Sequence, residues 1–104
     1  MKEKLNQPVV CADGFRMSVQ ANRVVYCTPR MDDASYYEEV EVGFPSEMEP
    51  LLMRYAEEPE RPTGTVYIRV PATVVTLIIA KHGGMISGDV PPGVAPLKPI
   101  EEKQ

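Results

Sequence analysis

From Phe15 the chain alternates Phe15, Met17, Val19 and Ala21 with Arg16, Ser18, Gln20 and Asn22, the two-residue period of a strand with one buried and one polar face. Before it, Pro8 to Cys11 is short and β-favouring. Ala12-Asp13-Gly14 then supplies turn chemistry, because glycine takes positive φ without penalty, so the two segments predict a hairpin. Val24 to Cys27 reads as a further strand, stopped by Thr28-Pro29. After a polar loop, Val40, Val42 and Phe44 alternate with Glu39, Glu41 and Gly43 as another.

Ser46 followed by Glu49 fits a capping box, and Met48, Leu51, Leu52 and Tyr55 recur at helical spacing, which predicts a short helix from Ser46 that ends before Pro59. Glu57 to Gly64 reads as a charged loop and Thr65 to Val70 as a strand. Pro71 suits a first helical turn. The helix that follows carries Val74, Val75, Leu77, Ile78 and Ile79 around most of its circumference before Gly83-Gly84 stops it. A helix so apolar needs cover on more than one side, and a neighbouring subunit is the expected second cover. From Met85 the glycine and proline clusters predict an extended arm without regular structure, whose Val90, Val94, Leu97 and Ile100 could lie along a groove. The expected organisation is a flexible segment 1–7, one α+β domain over 8–84, and an arm over 85–104. The expected fold is an antiparallel sheet of four to five strands with two helices packed to one side.

The 104 residues suit one domain, small enough to gain from self-association. A net charge of −4 without a basic run argues against an extended nucleic acid as partner, but 11 Lys and Arg leave room for a pocket that holds one or two phosphates. No apolar stretch reaches the length of a membrane span, and the start MKEKLNQP lacks a signal-peptide core, so a cytoplasmic location is expected. Cys11 and Cys27 are too few for a disulfide framework or a zinc site and are expected as free, buried thiols.

Catalytic motifs are missing: no GxSxG, HExxH, P-loop or GxGxxG occurs, and neither a metal nor a cofactor is expected. Glu38 and Glu39 point to opposite faces of a strand and cannot act as an acid–base pair across one bond; Asp32 and Asp33 are read as loop charges. Lys81-His82 at a helix end suits the negative pole of the macrodipole, and offers an alternative role as an anion contact.

Phe15, Arg16, Arg23, Tyr26, Arg30, Tyr36, Tyr37 and Phe44 crowd into thirty residues. Flat rings stack on a base and guanidinium groups grip phosphate through paired hydrogen bonds, so this mixture suits a nucleotide. Phe15 and Phe44 are assigned to the core. Arg30, Arg16, Arg23, Tyr26, Tyr36, Tyr37 and Gln20, with Lys81 and His82, are the candidate ligand-binding residues, Arg30 first among them.

The blocks ADGFRMSVQA, YCTPR, VEVGFPS, LLMRYAE, PTGTVY and VPATVVTLIIAKHGG, in this order between Cys11 and Gly84, resemble a family of small phage- and prophage-borne proteins. That family in turn resembles the anti-Thoeris sponges, which bind cyclic ADP-ribose isomers made by bacterial immune sensors and sequester them without cleavage. The resemblance implies a non-enzymatic, cytoplasmic homo-oligomer with a β-rich body, C-terminal helices and ligand pockets shared between subunits. Its ligand would be a small cyclic nucleotide, with cyclic oligonucleotides left open. Two other roles remain: an inhibitor whose Glu38, Glu57, Glu58 and Glu60 cover a basic surface of a host defence enzyme, and a structural accessory protein of the phage.

Overall fold

The computed structural model describes residues 5–100. It is an α+β fold whose five-stranded antiparallel sheet runs in the order β4-β3-β2-β1-β5. The strands are β1 (Val9–Cys11), β2 (Arg16–Gln20), β3 (Glu39–Gly43), β4 (Val66–Pro71) and β5 (Met85–Ser87). Two helices accompany them, a 3₁₀ helix over Pro50–Tyr55 and α1 over Ala72–Lys81. Both helices contact β4 and each other.

The hairpin forms as its residues predict. Gly14 takes φ +96, Asp13 Oδ1 accepts the Phe15 N–H at 2.9 Å, and Val9 pairs with Met17 across the ladder. Along β2, Met17 and Val19 are buried while Arg16 faces solvent. They join Val9, Cys11, Phe15, Val40, Val42, Tyr67 and Val70 in one core, closed by Leu52 from the 3₁₀ helix and Val75, Ile78 and Ile79 from α1. Burial of each such aliphatic side chain contributes roughly 1.5–3 kcal/mol. Cys11 and Cys27 are free and buried, and burial, helped by Asp13, pushes the Cys11 thiol up to about 11.

Four expectations are corrected. Val24 to Cys27 is not a strand, because Asn22 Oδ1 accepts the amides of both Val24 (2.8 Å) and Val25 (3.0 Å) and turns the chain away from the ladder. No helix starts at Ser46. Its hydroxyl accepts the Arg16 N–H (3.0 Å), and Glu49 caps instead, taking the Leu51 N–H at 2.9 Å just before Pro50–Tyr55. Phe44 leaves the core: its φ of +50 turns the side chain out to 59% exposure.

The fourth correction concerns the first three residues of the arm, since its other described residues form no helix or strand, as expected. Met85–Ser87 forms β5 on the free side of β1, and the remainder is packed along the domain. Tyr37 N–H donates to Pro92 O (2.9 Å), Ala95 N–H donates to Thr76 Oγ1 (3.0 Å), and Val94 is buried. Gly93 sits so close that an added Cβ would lie 2.3 Å from the Tyr37 carbonyl oxygen. The arm therefore gives α1 cover that was expected from another subunit, although Leu77 stays 59% exposed. At the other terminus Asn6 is tied to β2 by bonds to Gln20 and Val19, and Gln7 N–H donates to Asp89; residues 1–4 of the expected flexible segment lie outside the described residues.

Candidate functional site

The register separates the candidate residues into two groups at opposite ends of the sheet. Ser18 pairs with Gly43 and Gln20 with Glu41, which leaves Arg16 four residues, about 13 Å, along β2 from the level of Glu41. Arg16 thus lies near the Asp13–Phe15 turn and Ser46, whereas Tyr26 and Arg30 lie beside Glu41. The three arginines do not converge.

At the Arg16 end, His82 is almost fully buried and stacks on Phe15, ring centroids 4.1 Å apart. Its Nδ1 lies 2.6 Å from Asp13 Oδ2 and its Nε2 2.7 Å from Glu49 Oε1. Lys81 Nζ donates to the other Glu49 oxygen at 2.8 Å. Both ring nitrogens thus face carboxylates, an arrangement that suits the imidazolium. Burial works against its charge, but the bonds to Glu49 and then Asp13 outweigh it and raise the His82 pKa above the ordinary 6.5. Burial would likewise raise Glu49, yet Lys81, the Leu51 amide and His82 hold it below 4.5; the Phe15 amide and then His82 hold Asp13 below 3.8. Two cations and two carboxylates satisfy one another here. Lys81 and His82, expected as anion contacts, instead clasp three loops together.

Two further candidates are absorbed by the fold. Tyr37 is buried, and its hydroxyl donates to Met31 O (2.7 Å) and accepts the Ala34 N–H (3.1 Å), which removes it from ligand contact. Gln20 uses its whole amide on Asn6 and Ser18. Arg23 bonds Asp32 twice, through its backbone N–H (3.0 Å) and Nη1 (2.6 Å), and those contacts lower the Asp32 pKa. Tyr36 is exposed.

Tyr26 and Arg30 do come together, with a residue that sequence reasoning passed over. Arg30 Nε donates to Val25 O (3.1 Å) and Nη2 to Val24 O (2.6 Å), and this fixes its guanidinium 4.7 Å from the centroid of the Tyr26 ring. Arg69 brings a second guanidinium to 5.6 Å from the same ring. A bulge places it. Val40 pairs with Val70 and Val42 with Tyr67, so Glu41 faces both Ile68 and Arg69. Arg69 takes φ +50, and its N–H donates to Tyr26 O at 3.1 Å. Bulges re-aim side chains in this way, and a left-handed conformation at a residue other than glycine costs about 1–3 kcal/mol.

Two of Arg30's five N–H groups serve the backbone, while the Arg69 guanidinium has no hydrogen bond or ion pair to a described residue. Tyr26 is 40% exposed, and both arginines face solvent. Glu41 borders the cluster and accepts the Tyr26 N–H at 3.4 Å; burial, with Glu57 nearby, raises its pKa above 4.5. The arrangement offers a planar ring and guanidinium donors to one anionic group. Nothing in the string Tyr67-Ile68-Arg69-Val70 announces the bulge. The signal within reach was the arginine itself, in a strand otherwise made of apolar residues.

Elsewhere, Ala80, Gly83, Gly84, Leu97, Lys98 and Ile100 line a groove of about 410 Å³, apolar apart from Lys98. Among the described residues no group of three His, Cys, Asp or Glu side chains is placed to hold a metal ion, and no helix is long and apolar enough to cross a membrane. Comparison with protein families, curated proteins and solved structures finds no match to this chain.

Proposed function

We propose that this chain is a binding protein that holds a small, ring-bearing anion at Tyr26, Arg30 and Arg69. The ligand class is the cyclic nucleotide immune signals of bacteria: cyclic ADP-ribose isomers, with cyclic oligonucleotides as the related chemistry. Its role is to sequester the signal on behalf of a phage, without cleaving it, as a cytoplasmic self-associating protein. The ligand class and the phage setting come from the sequence resemblance; the choice of site comes from the geometry.

One observation carries the site. Arg69 is held in an unfavourable backbone conformation that brings a guanidinium, without a hydrogen bond or ion pair among the described residues, to an exposed tyrosine ring already flanked by Arg30. A base stacked on that ring gains about 1–3 kcal/mol, and a phosphate between two guanidinium groups gains charge-assisted hydrogen bonds.

Isothermal calorimetry with cyclic ADP-ribose isomers and cyclic di- and trinucleotides tests the reading. Binding is expected, and Arg69→Ala should weaken it by about 10- to 100-fold, the equivalent of a hydrogen bond to a charged group. Ligand released by heating should be unaltered. A folded protein that binds none of these compounds would overturn the proposal, and recovery of a cleaved ligand would make the protein an enzyme.

A further inference from the structure

Asn22 is half-buried, and its side-chain oxygen accepts two consecutive backbone amides, that of Val24 at 2.8 Å and that of Val25 at 3.0 Å. The Val25 N–H and the Val24 carbonyl are opposite ends of one planar trans peptide, so the bond that fixes the amide also aims the carbonyl. That carbonyl accepts Arg30 Nη2 at 2.6 Å, and the following one, Val25 O, accepts Arg30 Nε at 3.1 Å. Cys27 closes the loop from inside, its Sγ 3.1 Å from Asn22 O and 3.4 Å from Pro29 O. Burial raises the pKa of this thiol, which keeps it protonated as the donor. Nε and Nη2 form one side edge of the Arg30 guanidinium, and the loop takes up that edge. The end-on edge, one N–H from each of Nη1 and Nη2, is left for an anion and is directed away from Val24 and Val25.

We infer that Asn22 is a positioning residue of the ligand site, a role that rests on the proposed function: through the Val24–Val25 peptide it holds Arg30 beside Tyr26 with one bidentate edge presented. A solvent-facing arginine otherwise samples many rotamers, and ordering it on binding weakens affinity by about two- to tenfold. Asn22 does that ordering before the ligand arrives. A residue that merely shaped the turn would stabilise the fold and leave the Arg30 side chain as mobile as any other on the surface.

Exchange of the Arg30 Nε–H with water, followed by NMR on the full chain without ligand, tests the inference. In the wild type it should be slower by about tenfold or more than exchange at the exposed Arg16. Asn22→Ala should bring Arg30 to the Arg16 rate while circular dichroism stays native. Asn22→Asp, whose carboxylate oxygen accepts the same two amides, should keep the wild-type rate. Asn22→Ser retains a shorter acceptor and should fall between, so the comparison stands even where Asn22→Ala fails to fold. In calorimetry with cyclic ADP-ribose isomers, Asn22→Ala should bind about two- to tenfold more weakly. The inference fails if Arg30 exchanges as fast as Arg16 in the wild type, if Asn22→Ala and Asn22→Ser leave its rate unchanged, or if affinity holds although the rate has risen. A wild type that binds none of these isomers would overturn the ligand reading, and the exchange rates would still decide whether Asn22 sets Arg30.

Discussion

The two ends of the sheet use similar side chains to opposite effect. At one end a cation stacks on a ring, His82 on Phe15, and Asp13 and Glu49 occupy both of its nitrogens. At the other, Arg30 and Arg69 approach Tyr26, and the Arg69 guanidinium has no carboxylate partner among the described residues. In the first cluster His82 and Glu49 are buried and the charges are matched, and it serves to hold loops. The second is exposed, strained and open. An aromatic–cation motif is therefore uninformative about binding until its counter-charges are located, because a buried cation with two carboxylates has nothing left to offer a ligand.

The largest effect is expected from breaking the closed end. Glu49→Ala leaves the buried His82 with one carboxylate, frees Lys81 and removes the Leu51 cap, and should cost about 3–5 kcal/mol in denaturant unfolding. The pH profile should report the same groups. His82 has a raised pKa, so its contribution is present in full below about pH 6.5 and is lost as pH rises through the folded value. Asp13 and Glu49 have lowered values, so theirs is present above about pH 4.5 and is lost as pH falls through the folded values. Stability should be greatest between those limits. In Glu49→Ala the fall on the alkaline side should shrink, and an unchanged alkaline slope would mean that His82 is not charged in the folded protein.

The next effect sharpens the contrast by removing strain from the open end. Arg69→Gly releases the left-handed penalty and should stabilise the fold by about 1 kcal/mol, which raises Tm by several degrees, even as ligand affinity falls as far as in Arg69→Ala. Gain in stability with loss of binding is the signature of a residue kept for function. A loss of both would place Arg69 among the structural residues.

The scaffold was largely legible in the sequence. Met17 and Val19 announced β2, Gly14 its turn, and Gly83-Gly84 the end of α1, because period and glycine chemistry act locally. What escaped depends on contacts made far along the chain. Asn22 captures two amides that a strand would have used, and Ser46 is drawn to Arg16 rather than to Glu49. β5 exists only because β1 offers an unpaired edge. Of the candidate site, Tyr26 and Arg30 were read from composition and do stand together, whereas Tyr37, Gln20, Lys81 and His82 share the same chemistry but are consumed by hydrogen bonds. Arg69 was hidden in the register between β3 and β4.

The smallest effect separates the two carboxylates that border the two ends. Ionised Glu49 is favoured by its partners, whereas Glu41 has a raised pKa, so the fold loses stability as pH rises past 4.5 and Glu41 ionises. Glu41→Gln keeps an oxygen for the Tyr26 N–H but removes that charge, and should stabilise the protein at neutral pH by up to about 0.5 kcal/mol. It also takes a negative charge from beside Arg30, so an anionic ligand should bind somewhat more tightly, most visibly at low salt. Urea melts at pH 4 and pH 7, paired with calorimetry at two salt concentrations, read both consequences. Weaker binding in Glu41→Gln would show that the carboxylate receives a donor from the ligand, and would move the charge preference of the open end away from a simple anion.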